Sequence, residues 1–142
     1  MRIAFGADER NAVTDFVRAE LEHRGHSVTV GFGPSAGSDE QWADVGLGVG
    51  NAVARGEADS GIACCWTGTG VTIAANKVGG IRAALCSDAE QARGARRWND
   101  ANVLALSLRL TTEALVAEIL DAWFSTEPDA SEADNIAKVT RA

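Results

Sequence analysis

Five short apolar runs, each separated from the next by a long stretch with helical spacing, dominate the sequence. The runs are residues 2–6 (RIAFG), 27–32 (SVTVGF), 60–66 (SGIACCW), 81–86 (IRAALC) and 102–107 (NVLALS). Residues 10–24 carry Val13, Phe16, Val17 and Leu21 at helical spacing and stop at Gly25. Further helices are expected over about 40–55, ended by Gly56, and over 72–78. Another is expected over 88–97, with Ser87 as its N-cap and Asp88 and Glu90 in its first turn. Thr111 or Thr112 should cap a helix reaching about Phe124, and a last short helix should cover 131–141. Residues 33–39 (GPSAGSD) read as a loop. Connections this long cannot be hairpins, so the strands run parallel, and a parallel sheet needs helices over both faces. The expected fold is α/β with a five-stranded parallel sheet, in one domain spanning residues 1–142.

Ligands of such sheets sit off the carboxyl ends of the strands. Three polar features fall there: Asp8 after the first strand, Thr67-Gly68-Thr69-Gly70 after the third, and Ser107 to Arg109 after the fifth. The segment Trp98-Asn99-Asp100 precedes the fifth strand, which leaves its place relative to the others open. Charge narrows the ligand. With 13 Lys and Arg against 20 Asp and Glu, the net charge is −7, and no basic face is evident, so nucleic acid is not an expected partner. No apolar run approaches the roughly 18 residues that a membrane span needs. MRIAFGADE lacks the apolar core of a secretory signal, and a cytoplasmic location is expected. Cys64, Cys65 and Cys86 form no CxxC, and His23 and His26 lie far from them in sequence, so neither a disulfide framework nor a metal site is expected. The two histidines flank Gly25 and read as solvated surface residues.

The stretch CCWTGTGVTIAANK (64–77) concentrates the chemistry. Glycines where a strand turns into a helix let backbone N–H groups converge on an anion, and the helix N-terminus adds a favourable dipole. The turn is neither a Walker loop nor GxGxxG. A thiol beside converging N–H groups can act as base or nucleophile. Side chains alternate along a strand, so Cys64 and Cys65 should point to opposite faces. The residues alone do not say which of the two faces the site, and a buried packing role suits Cys64 and Cys86. A Cys-His hydrolase lacks its histidine. Asp8, Thr67, Asn99 and Arg109 suit proton transfer on an oxygenated substrate.

In order and spacing, AFGAD, CCWTGTGVTIAANK, GIRAALC and WNDANVLALSLR resemble the ribose-5-phosphate isomerase B and galactose-6-phosphate isomerase family from residue 2 to about 124. The resemblance implies a Rossmann-like three-layer sandwich. It implies metal-free, cofactor-free interconversion of aldose and ketose sugar phosphates, with a base moving a proton between C1 and C2 through a cis-enediol. It implies a homodimer, or a dimer of dimers, with sites built between two subunits. In the cysteine branch of the family the base precedes the glycine turn, which is Cys65 here. The other branch uses a glutamate in the following helix, where this chain has Thr72. Cys65 and Thr67 are thus the expected catalytic residues. Asp8 matches a substrate-binding acid, and Thr67, Gly68, Thr69 and Gly70 match the loop that stabilises the enediolate oxygen. Asn99 matches a substrate-binding amide and Arg109 a phosphate-binding arginine.

The departures from the family pattern are also specific. Glu9 replaces a histidine, Gln41-Trp42-Ala43 replaces Asp-Tyr-Pro, and Trp66 replaces a glycine. Trp98 replaces the histidine that opens the sugar ring. Ser131 and Asn135 fall where two phosphate-binding arginines are usual, in a segment that also carries Glu127, Asp129, Glu132 and Asp134. Glu9, Trp66 and Trp98 are expected to contact the substrate. The expected activity is aldose–ketose isomerisation of a small sugar or sugar phosphate other than ribose 5-phosphate. The alternatives are a catalytically retired family member acting as a binding or partner subunit, and a hydrolase or transferase using a covalent cysteine.

Overall fold

The computed structural model describes residues 1–142. Its strands are β1 (Arg2–Ala7), β2 (Ser27–Phe32), β3 (Ser60–Cys65), β4 (Ala83–Leu85) and β5 (Val103–Ser107). Its helices are α1 (Ala12–His23), α2 (Trp42–Ala54), α3 (Thr69–Asn76), α4 (Ala89–Asn99), α5 (Glu113–Ser125) and α6 (Ala133–Arg141). Short 3-10 turns cover Pro34–Ala36 and Ala130–Glu132. The strands form one parallel sheet in the order β2-β1-β3-β5-β4. Helices α2 and α3 pack together on one face, and α1, α4 and α5 cover the other. This is the Rossmann-like three-layer α/β sandwich.

Burial follows from that layering. Every residue of β3, the central strand, is buried, because both faces are covered and no solvent-facing side remains. The edge strand β2 instead alternates exposed and half-buried residues, as SVTVGF suggests. The sheet divides the core in two. Cys64 lies with Phe5, Leu21, Leu104 and Trp123 under α1, α4 and α5. Cys65 lies with Val45, Val49 and Val71 under α2 and α3. The opposite pointing of the adjacent cysteines is therefore observed.

Local chemistry sets the helix ends. Asn11 and Thr14 form a reciprocal capping box at α1. Thr112, not Thr111, caps α5 by accepting from the Leu115 N–H. Each such cap contributes about 1 kcal/mol. Four sequence expectations need correction. Asp88, not Ser87, caps α4, accepting from the Gln91 N–H, while the Ser87 N–H donates to the Gln91 side chain. Helix α3 starts at Thr69 inside the glycine turn rather than at residue 72. β4 keeps three residues of its six-residue apolar run, because it pairs only with β5 and Arg82 before it is drawn into side-chain bonds. His26 is half-buried rather than solvated: its ring stacks on Phe124 at 4.0 Å, and its pKa is lowered, chiefly by burial. No helix is long and apolar enough to cross a membrane.

Candidate active site

The chain order of the strands opens a crevice at the carboxyl end of β3. The connections leaving β1 and β5 turn to the α1/α5 face, whereas the one leaving β3 turns to the α2/α3 face. The loops on both sides of β3 thus diverge from its own loop, the arrangement in which open α/β sheets bind ligands. Asp8 and Glu9, residues 65–70, and Ser107 to Arg109 meet at this rim. Backbone bonds join them: the Asp8 N–H donates to the Cys64 carbonyl at 3.3 Å, and the Leu108 N–H to the Cys65 carbonyl at 3.0 Å. The Trp66 carbonyl accepts from the Arg109 N–H and the Ser107 hydroxyl, each at 3.0 Å.

Cys65 is 4% exposed at the last residue of β3, directly before the turn. Its neighbour Cys64 is fully buried, and that burial pushes its thiol pKa far up, so it remains a neutral packing group. Cys86 is likewise pushed up to about 12 by burial. The turn is held by its own side chains. Gly68 takes the left-handed conformation (φ 77°) as N-cap of α3 and supplies no side-chain cap, so the first N–H groups of the helix remain available to a ligand. The Thr72 hydroxyl donates to the Gly68 carbonyl at 2.6 Å, and the hydroxyls of Thr67 and Thr69 meet at 2.9 Å. A free thiol, an uncapped helix N-terminus and two threonine hydroxyls therefore share one rim.

The rest of the rim is acidic and aromatic. Asp8 is half-buried, and burial raises its carboxyl pKa, partly offset by its own backbone N–H. Glu9 is half-buried beside it, and Arg109 is exposed. Trp66 is 56% exposed, and Trp42, in the first turn of α2, lies against the turn: a Cβ on Gly70 would come within 2.7 Å of its ring. Sequence reasoning missed the Thr72 pin, for which a threonine four residues after Gly68 was the legible signal, since such hydroxyls bond the carbonyl one turn back.

Trp98 and Asn99 do not join this group. They end α4 and sit at the amino end of the sheet, where Asp100 bonds Arg82 just before β4. The depth of β5 separates them from Cys65 within the chain, roughly 15 Å at about 3.3 Å per residue. They line a separate groove of about 600 Å³ between the 76–84 segment and α6. Ser131 and Asn135 are tied to acids: the Ser131 N–H donates to Asp129, and the Asn135 amide to Glu132. No group of three or more His, Cys, Asp and Glu side chains is placed to hold a metal ion.

A doubly wound parallel sheet with a thiol and an open helix N-terminus at its switch point is the arrangement in which α/β proteins hold small anionic ligands. The family model described as Ribose/Galactose Isomerase matches residues 3–140. The chain is 38% identical over 132 residues to the D-erythrulose-4-phosphate isomerase of Pectobacterium atrosepticum, covering 89% of this chain and 84% of that protein. It is 39% identical over 127 residues to ribose-5-phosphate isomerase B of Escherichia coli, covering 89% and 85%. The structure of Clostridium thermocellum ribose-5-phosphate isomerase B superposes with a TM-score of 0.90 at 39% identity, covering 99% of this chain and 95% of that one. The chain belongs to the ribose/galactose isomerase family and is an aldose–ketose isomerase.

Proposed function

We propose that this chain isomerises a short sugar phosphate, a four-carbon one before ribose 5-phosphate, by proton transfer at Cys65 in a site completed by a second copy. The observation that carries the reaction is the position of Cys65 at the end of β3, beside the uncapped start of α3. As thiolate, Cys65 takes the proton from C2 of the aldose and returns it to C1. The hydroxyl proton at O2 moves to O1, so atoms balance across the cis-enediol. The N–H groups at the start of α3 face the oxygen on which negative charge develops, and Thr67 and Thr69 steady it.

The substrate reading rests on what surrounds that centre. A four-carbon aldose with phosphate on C4 has no C4 hydroxyl to close a ring, so it needs no ring opener, a role that the Trp98 indole, a donor only, could not fill. At the two tail positions where the family resemblance implies phosphate-binding arginines stand Ser131 and Asn135, each bonded to a carboxylate. Arg10 pairs with Asp15, Arg93 with Glu90 and Arg96 with Asp100, whereas Arg109 on the rim has no carboxylate partner. The Pectobacterium relative, named for a four-carbon sugar phosphate, supports the same direction. Trp42 and Trp66 offer apolar faces to the C–H side of a short chain. The placement of Asn99 and Trp98 at the far end of the sheet supports sharing of the site between copies. A protein of this family working in the cytoplasm as a homodimer agrees with these features.

Kinetics on erythrose 4-phosphate, ribose 5-phosphate and free pentoses test the substrate. Erythrose 4-phosphate should give the highest kcat/KM. A value above roughly 10⁴ M⁻¹s⁻¹ on ribose 5-phosphate, exceeding the four-carbon sugar, would overturn the substrate reading. Absence of C–H exchange into D₂O across all the sugars would overturn proton transfer at Cys65 to these substrates.

A further inference from the structure

We infer that Arg82 is a positioning residue for the shared site, holding the end of α4 and the end of α6 in one frame. The inference rests on the shared-site reading above. The Arg82 side chain is 14% exposed, and it spends its donors on two separate elements. Nε donates to the Asp100 carbonyl at 2.8 Å and Nη2 to the Asp100 carboxylate at 3.2 Å. Nη1 donates to the Thr140 hydroxyl at 3.0 Å and to the Gly80 carbonyl at 3.3 Å. The second oxygen of Asp100 accepts from Arg96 at 2.9 Å, so one carboxylate lies between two guanidiniums. Such charge-assisted forks fix direction as well as distance.

Asp100 is what this fork restrains. It is the only non-glycine residue with positive φ, at 46°, and it stops α4 one residue after Asn99. That conformation is disfavoured for a side chain with a Cβ and persists where surroundings over-determine it. Asn102 braces the fork from below, its side chain accepting from the Arg82 N–H at 2.8 Å and donating to Gly80 at 3.0 Å. Trp98 and Asn99 therefore project from a fixed base, although both are exposed. Helix α6 buries none of its residues, and Arg82–Thr140 is its one side-chain hydrogen bond to the body of the fold. The ends of α4 and α6, which both line the groove, are thus referenced to a single side chain that itself lies far from Cys65. A loose Arg82 would let Asn99 wander in the partner's site while leaving thiol and turn intact.

The test uses the full-length protein with erythrose 4-phosphate and ribose 5-phosphate. Arg82→Met should raise KM about tenfold and change kcat less than about threefold, because binding groups move while the base stays. Arg82→Lys should recover part of the KM, and Thr140→Val should raise it about twofold. Wild-type KM in Arg82→Met overturns the inference; if that variant does not fold, wild-type KM in both Arg82→Lys and Thr140→Val does so. Subunit mixing separates the two levels. Refolded mixtures of Arg82→Met with Cys65→Ala should regain a component with wild-type KM, since one of the two sites then has an intact thiol and an intact α4 end. If Asn99→Ala complements Cys65→Ala but Arg82→Met does not, Arg82 acts within its own subunit and the inference falls alone. If Asn99→Ala also fails to complement, or neither sugar is turned over, the shared-site reading falls and takes the inference with it.

Discussion

One residue and one face of a sheet separate Cys64 from Cys65, and their expected behaviour differs accordingly. Cys65→Ala removes the proposed base and should lower turnover by about 10²–10⁴-fold, far more than its loss of one buried sulfur from the α2/α3 core lowers stability. Cys64→Ala removes a small buried group from the α1/α5 core and should cost about 1 kcal/mol of stability, with most activity kept. Turnover and thermal melts on both variants check the pair; full activity in folded Cys65→Ala would end its role as base. Asp8 adds a pH signature. Burial raises its pKa, so its contribution to stability is present below the ordinary carboxylate pKa of about 4 and is lost as pH rises through the folded value. Asp8→Asn has no such loss. It should melt higher than the wild type at pH 7, match it near pH 3, and turn over more slowly; an equal gain at both pH values would contradict this account.

At the scale of elements, the start of α3 decides how the site is held. Gly68 sits at φ 77°, and a Cβ there would lie 2.5 Å from Leu85 and 3.0 Å from the backbone of Leu106 and Ser107. Gly70 lies inside the helix, where alanine is favoured by about 1 kcal/mol, and a Cβ would press on the half-exposed Trp42 ring. Gly68→Ala should therefore lower the melting temperature markedly. Gly70→Ala should melt near the wild type yet lose activity as Trp42 is displaced over the turn. Melts beside turnover distinguish the two, and equal destabilisation would contradict the assignment. The alternation of apolar runs and helical spacing made every strand and helix legible, and the strand period placed the cysteines on opposite faces. Boundaries were less legible. Periodicity could not show that Gly68 starts α3 early, nor that Asp88 outcompetes Ser87 for the cap, since both are good capping residues and the backbone entry angle decides. The rim residues 8, 65–70 and 109 could be grouped because each follows a strand. Asn99 could not, because it precedes one.

For the whole molecule, the unburied helix α6 and the groove carrying Trp98 and Asn99 bear on the state of assembly. Val139 is 60% exposed and lines that groove with Ile136. Light scattering at micromolar concentration should give at least twice the 14.8 kDa chain mass, and a monomer would contradict the shared site. The sheet order was the least legible feature: five parallel strands allow several orders, and nothing local says that β5 enters between β3 and β4. That insertion also bears on how the chain is made. On the ribosome β4 emerges before β5, yet β5 is its only neighbour. Until residues 103–107 leave the exit tunnel, β3 has one open edge and β4 has no partner at all. Nascent chains therefore carry an unpaired apolar strand while residues 86–107 are added, roughly one to four seconds at the usual rate. The shortness of β4, three residues, limits what a wrong partner could grip during that interval.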